Sequence, residues 1–270
     1  MIRDITIGQY YQTDSPIHRL DPRTKIIGTL LFVISLFLFT NVYVYALAGI
    51  FLMAVILISK VPFKYMMRGM KPILMLLAIT LVFNLFFTPG TVLVTWWKLK
   101  ITREGLRLAI FMFLRLTYLI IGSSIMTLTT TPSQLTDGLE IVMKPLKVFR
   151  VPVHEIAMMM SIALRFIPIL TDEMDKIMKA QLARGADFES GNLIKRVKGM
   201  VPIIIPLFVS AFRKANDLAM AMEARCYRGG DGRTKMKPLK YRRSDFISYG
   251  ILVLYFGLFV YVGRFVPKIW

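Results

Sequence analysis

The chain of 270 residues has one cysteine, Cys226, and two histidines, His18 and His154. A single thiol excludes an intrachain disulfide and any cysteine-rich metal site. Two histidines are too few for a His-based metal cluster. No metal ligand, cofactor or catalytic residue is expected. No Gly-x-x-x-x-Gly-Lys-Ser/Thr loop occurs, so no direct ATP binding is expected either. The first 25 residues lack the basic, apolar, small-residue order of a cleaved signal peptide, and the first apolar run is expected to be retained. Acidic residues are scarce, 16 Asp and Glu against 35 Lys and Arg. None of the long apolar runs described below carries Asp or Glu, which argues against a proton- or sodium-driven pump relying on membrane carboxylates.

What is abundant is apolar sequence, 56% of residues, beside a formal net charge of +19. A soluble domain this apolar would be hard to keep in solution, and a nucleic-acid binder would not carry such runs. Both facts fit apolar segments in lipid with Lys and Arg on their flanks. The runs lie at 26–39, 42–59, 73–88, 106–128 and 246–263. About 20 helical residues cross the hydrocarbon core, so the first and third extend into their flanks. Arg115 inside the fourth must face a neighbouring helix or water.

Orientation follows from the loops. Arg3, Arg19, Arg23 and Lys25 precede the first run, and Lys60, Lys64, Arg68 and Lys71 follow the second. Only Thr40 and Asn41 separate the first two. The positive-inside rule then places the N-terminus in the cytoplasm of a multi-pass plasma-membrane protein, with five spans and the C-terminus outside. Trp96 and Trp97 fit the outer interface.

Residues 129–244 differ in kind. Thr131-Pro132-Ser133 reads as a helix start, followed by Leu135, Leu139, Val142 and Met143 on one face. Val151-Pro152 opens a long pattern reaching Leu182, in which Pro168 is expected to introduce a kink. Its later part is charged on one side through Asp172, Glu173, Asp175, Lys176 and Lys179, and it reads as amphipathic rather than as a span. A linker at 187–192 and a basic turn (Lys195, Arg196, Lys198) precede an apolar run interrupted by Pro202 and Pro206, and a third long helix is expected at about 206–225. The chain thus divides into 1–128 (N-terminal arm and four spans), 129–244 (cytoplasmic helices) and 245–270 (last span).

Two of these helices end alike, on Ala183-Arg184-Gly185 and on Ala224-Arg225-Cys226. A cation in the last turn is favoured by the exposed carbonyls by roughly 0.3–1 kcal/mol, and a following glycine supplies a left-handed cap. Each arginine alone is an ordinary helix-end charge. Their recurrence at matching places points to two protruding tips, each offering a planar guanidinium fork to carboxylates in a groove. Cysteine adopts a left-handed cap less easily than glycine, so the second helix is expected to run on toward Gly229.

At these residues the chain resembles the energy-coupling-factor transmembrane-protein family, EcfT. The resemblance covers nearly the whole length. It rests on Asp14-Ser15-Pro16-Ile17-His18-Arg19-Leu20-Asp21-Pro22-Arg23-Thr24-Lys25, on Thr131-Pro132-Ser133 with Leu135-Thr136-Asp137-Gly138-Leu139, and on the two Ala-Arg tips. The family pattern has Ala-Arg-Gly at both tips, and Cys226 departs from it. The resemblance implies an all-α, polytopic membrane protein of about five transmembrane helices plus long amphipathic cytoplasmic coupling helices. It implies a non-catalytic subunit of an ABC-type vitamin importer, bound to two ABC-type ATPase subunits and to a membrane-embedded, substrate-capturing S component. Ala183, Arg184, Gly185, Ala224, Arg225 and Cys226 would then dock the ATPases, and the choice of vitamin would lie on the S component.

Other features have plainer readings. Met158, Met159, Met160, Met174, Met178, Met220 and Met222 fit helix packing in and near lipid, or an adaptable sliding surface. Arg228, Arg233, Lys235, Lys237, Lys240, Arg242 and Arg243 fit a flank touching anionic membrane lipid, with no nucleic-acid partner. His18 and Asp21 read as structural. The alternative function is an integral-membrane lipid-modifying enzyme, for which Asp137, Glu140, His154 and Glu155 are the available cluster.

Overall fold

A computed structural model describes residues 10–96, 99–186, 193–230, 236 and 238–266. Trp97, the linker 187–192 and Arg233, Lys235 and Lys237 fall outside the described residues. The chain forms two compact units, residues 1–142 with 238–270, and residues 143–237.

The first unit begins with α1 (Pro22–Leu38), whose start is set by Asp21: its carboxylate accepts the Arg23 N–H at 2.9 Å, with Pro22 at the first helical position. Then follow α2 (Val42–Ser59) and α3 (Phe63–Phe87). A short antiparallel hairpin of β1 (Val92–Trp96) and β2 (Leu99–Thr102), absent from the sequence expectation, joins α3 to α4 (Arg103–Thr129). Thr102 closes this connection: its hydroxyl caps α4 by accepting the Gly105 N–H at 3.1 Å and donates to the Thr88 carbonyl at 2.8 Å. The unit is completed by α5 (Pro132–Val142), packed on α1, and by α8 (Arg243–Phe265).

The core lies where α1, α2, α4 and α8 meet. Leu36, Val44, Tyr45, Ala48 and Phe259 are buried in it together with Phe32, Leu52, Ile125 and Tyr255. Much of the outer surface is apolar, as a helix bundle in lipid requires. Among the described residues four helices are long and apolar enough to cross a membrane: α2, α4, α8 and, in the second unit, α6 (Val153–Ala183). Seventeen residues make α1 about 25 Å long, and the apolar part of α3, Ile73–Phe87, is also short. The sequence reading counts α1 and α3 as spans and α6 as amphipathic. With 31 residues, α6 is long enough to contain an apolar window ahead of its charged C-terminal half. Arg115 turns to a neighbouring helix, donating from Nε to the Tyr45 hydroxyl of α2 at 2.8 Å, with the Phe37 ring 5.1 Å from its guanidinium.

Buried polar groups fasten one end of this bundle. Asp245, fully buried, accepts the Asp21 N–H at 2.8 Å and the Arg242 N–H at 2.7 Å. One carboxylate therefore serves the starts of both α1 and α8. Lys25 donates from Nζ to the last carbonyl of α4, Thr129 O, at 2.7 Å and to His18 O at 3.2 Å. His18 holds the arm: Nε2 lies 3.0 Å from the Tyr11 carbonyl and Nδ1 2.7 Å from the Ser15 hydroxyl. A carbonyl can only accept, so the proton sits on Nε2. Burial pushes the His18 pKa down, which keeps the ring neutral and leaves Nδ1 to accept from Ser15.

The second unit holds a 3-10 turn (Lys144–Phe149), α6 and α7 (Leu193–Ala224). The expected third helix at 206–225 is corrected: α7 begins at Leu193 and runs through Pro202 and Pro206. Proline removes a donor from the helix ladder. Pro206 leaves the Pro202 carbonyl without one, and Gln181 of α6 donates to that oxygen from Nε2 at 3.4 Å. Likewise α6 stays helical through Pro168.

Replacing Asp245 by alanine would leave the buried Asp21 N–H and the partly buried Arg242 N–H unmatched. The Asp245→Ala chain in detergent should lose about 3 kcal/mol of stability, read as a clear drop in its thermal unfolding midpoint. An unchanged midpoint would contradict the fastening role.

Candidate functional site

The residues singled out by the sequence lie at the ends of α6 and α7. Both tips build the same backbone motif. At the first, the Gly185 N–H donates to Leu182 O at 3.0 Å and the Ala186 N–H to Gln181 O at 3.0 Å. At the second, the Cys226 N–H donates to Glu223 O at 2.8 Å and the Tyr227 N–H to Met222 O at 3.1 Å. These paired bonds, one spanning three residues inside one spanning five, are the Schellman motif, with Arg184 and Arg225 each as the last residue before the left-handed one. Gly185 has φ +83° and Cys226 φ +55°.

This corrects the expectation that α7 runs on toward Gly229. The helix ends at Ala224, and Cys226 takes the position that glycine holds at the other tip. The reason is local. The narrow left-handed well open to residues with a Cβ lies near φ +50° to +70°, and Cys226 sits in it. A Cβ at Gly185 would meet nothing within 4 Å, so a tip of this shape sets only a torsional penalty, about 1–2 kcal/mol.

Ala183, Arg184 and Gly185 are exposed, as are Ala224, Arg225 and Cys226. With alanine before each arginine and glycine or cysteine after it, the guanidinium stands clear of bulky neighbours. The structure does not bring the two tips together. Gln181 of α6 meets Pro202 near the start of α7, Glu173 pairs with Lys214 at 3.7 Å, and the His154 ring at the start of α6 lies against Gly230, beyond the end of α7. Contacts in that order make α6 and α7 antiparallel. From Pro202 to Arg225 the rise is about 35 Å, so the two arginines lie on the order of 40 Å apart, at opposite ends of the pair.

Other sequence candidates distribute differently. Asp137 and Glu140 belong to the first unit, His154 and Glu155 to the second. Among the described residues no group of three or more His, Cys, Asp or Glu could hold a metal ion. Sequence reasoning missed Gln181, a polar side chain whose partner lies on the next helix. It also missed Asp245, for which a lone acidic residue opening an apolar run was the available signal.

A family model described as cobalt transport protein, CbiQ, matches residues 13–236. The energy-coupling factor transporter transmembrane protein EcfT of Clostridium kluyveri is 58% identical over 92% of this chain and 93% of its own length. The protein of the same name from Bacillus subtilis is 49% identical over 91% of this chain and 93% of its own. That from Acidaminococcus fermentans is 47% identical over 99% and 100%. The class is thus a multi-pass, all-α transmembrane component of a transporter. Within that class the chain belongs to the EcfT family, the transmembrane proteins of energy-coupling factor transporters.

If torsion is the only cost at the second tip, Cys226→Gly should stabilise the end of α7 by about 1 kcal/mol. Amide exchange at residues 222–227 would then slow several-fold in the variant. Faster exchange would mean that the cysteine side chain makes a contact that matters more than its torsion.

Proposed function

We propose that the chain transmits ATP-driven motion from two ABC-type ATPase subunits to a separate membrane-embedded S component, and so powers micronutrient import. Arg184 and Arg225 dock the ATPases, each tip entering an acidic groove on one of them. The observation that carries this reading is the repeated motif. Two exposed Ala-Arg tips share one cap geometry and stand on the order of 40 Å apart at opposite ends of one helix pair. A single groove does not span that distance, whereas two copies of a similar groove suit two similar tips.

Further features support it. The absence of a phosphate-binding loop fits a subunit whose energy comes from other chains. α7 exposes Ile204, Ile205, Phe208 and Phe212 on its surface, an apolar face suited to a partner in the membrane. The distribution of Lys and Arg favours a cytoplasmic N-terminus. The cargo is a vitamin or a similar micronutrient; the matching family model carries the description cobalt transport. A shared energising subunit needs no cargo pocket of its own.

Charge reversal tests the docking role. Arg184→Glu or Arg225→Glu alone should remove one of two ATPases from the purified complex. The double variant should lose both and abolish ATP-driven uptake, with affinity falling by at least about a hundredfold. Undiminished ATPase binding in the double variant would overturn the assignment.

A further inference from the structure

The first unit gathers its polar groups at one end of its bundle, where α1 and α8 begin and α2 ends. A cavity of about 520 Å³ opens there, lined by Asp14, Ser15, Arg19, Lys60, Arg242 and Ser244. Its charges are unequal. Arg19 is committed to Asp14, donating from Nε to Oδ1 at 2.7 Å with a second contact from Nη2. Lys60 and Arg242 form no ion pair among the described residues. The cavity therefore sets three cations, Arg19, Lys60 and Arg242, against the single carboxylate of Asp14, and leaves a guanidinium and an ammonium outside any ion pair among the described residues, beside the hydroxyl of Ser244.

What adjoins it is apolar. From Ser244, the face of α8 continues through Ile247, Ile251, Leu254 and Leu258, at steps of three and four residues that keep one side of a helix. From Lys60, α2 runs back through Leu57, Met53 and Ile50 at the same steps. All seven of these apolar side chains are between 45 and 73% exposed. α2 and α8 pack against each other, and both apolar stripes start at the cavity.

A soluble anion would use the cations and leave the stripes unused. A membrane lipid uses both, because its charged group and its hydrocarbon are joined end to end. We propose that this cavity seats the phosphodiester of an anionic phospholipid, held by Lys60 and Arg242, with acyl chains lying along the α2 and α8 stripes. The neighbouring Asp14 carboxylate sets the preference for a singly charged phosphodiester over a doubly charged phosphate monoester. The site is distinct from the arginine tips and does not rest on the ATPase reading.

Native mass spectrometry of the full chain, released from detergent after exposure to equal phosphatidylglycerol and phosphatidylcholine, reads this directly. The wild-type chain should retain one phosphatidylglycerol in preference to phosphatidylcholine. Lys60→Gln with Arg242→Gln should weaken that preference by about thirtyfold, the weight of two interfacial cations. Lys60→Arg with Arg242→Lys should restore it, which separates lost charge from a damaged fold. Lys144→Gln with Arg213→Gln, exposed cations of the other unit, should leave it intact. Retention of phosphatidylglycerol by the Gln pair at the wild-type level would overturn the proposal. So would its complete displacement by millimolar inorganic phosphate, which would make this a soluble-anion site.

Discussion

Each helix has one C-terminus, and two antiparallel neighbours must point theirs in opposite directions. That constraint governs the second unit. Gln181 against Pro202, Glu173 against Lys214 and His154 against Gly230 fix the sense of the α6–α7 pair, and from it the separation of the tips follows. The exposed carbonyls at each helix end favour a cation there, and the left-handed cap after the arginine ends the helix sharply. The two Ala-Arg tips are thus one device used twice, on a rod whose length keeps them apart. A polar contact helps the rod at one of its two internal prolines: Gln181 supplies the donor that Pro206 withholds from Pro202, and the same bond joins α7 to its neighbour.

The first unit answers a different constraint. Helices in lipid must satisfy every polar group within the protein, and helix ends are where such groups are left over. Here the leftovers at three ends are matched to one another. Asp245 takes the first N–H groups of both α1 and α8, and Lys25 takes the last carbonyl of α4. The residues 14–25 that carry much of the resemblance to the family therefore act as a fastening. His18, Asp21 and Lys25 each bind backbone, and together they draw the arm and three helices to one end of the bundle. The same gathering leaves Lys60 and Arg242 without carboxylate partners at the edge of that end.

Much of this was legible in the sequence because it depends on local pattern. The apolar runs became α1 to α4 and α8, Thr131-Pro132-Ser133 opened α5, and Ala183-Arg184-Gly185 ended α6 as its cap residues indicate. The rest depends on partners distant in the chain or on competition between nearby signals. Asp245 opens an apolar run as a lone acidic residue, but its second partner lies 224 positions away, and that pairing has no local signature. Pro202 and Pro206 carry a true helix-breaking signal, yet α7 continues through both, and at the Pro202 carbonyl a donor from another helix replaces the one Pro206 lacks. The hairpin at 92–102 does have a signal, Pro89-Gly90 followed by the β-branched and aromatic residues Thr91, Val92, Val94, Thr95 and Trp96, which the reading of apolar runs passes over. At Cys226 the expectation weighed residue type alone. The backbone there needs only the left-handed well that any residue can enter at a modest cost, and the hydrogen bonds of the cap hold it in place.

The central functional claim is that the two tips meet two separate ATPase chains. Photo-cross-linking from Ala183 and from Ala224, each replaced in turn by a photoreactive residue within the assembled complex, tests it while leaving both arginines in place. With two ATPase copies distinguishable by mass, capture of one copy from position 183 and of the other from position 224 is the expected result. Capture of the same copy from both positions, or of no ATPase from either, would contradict it.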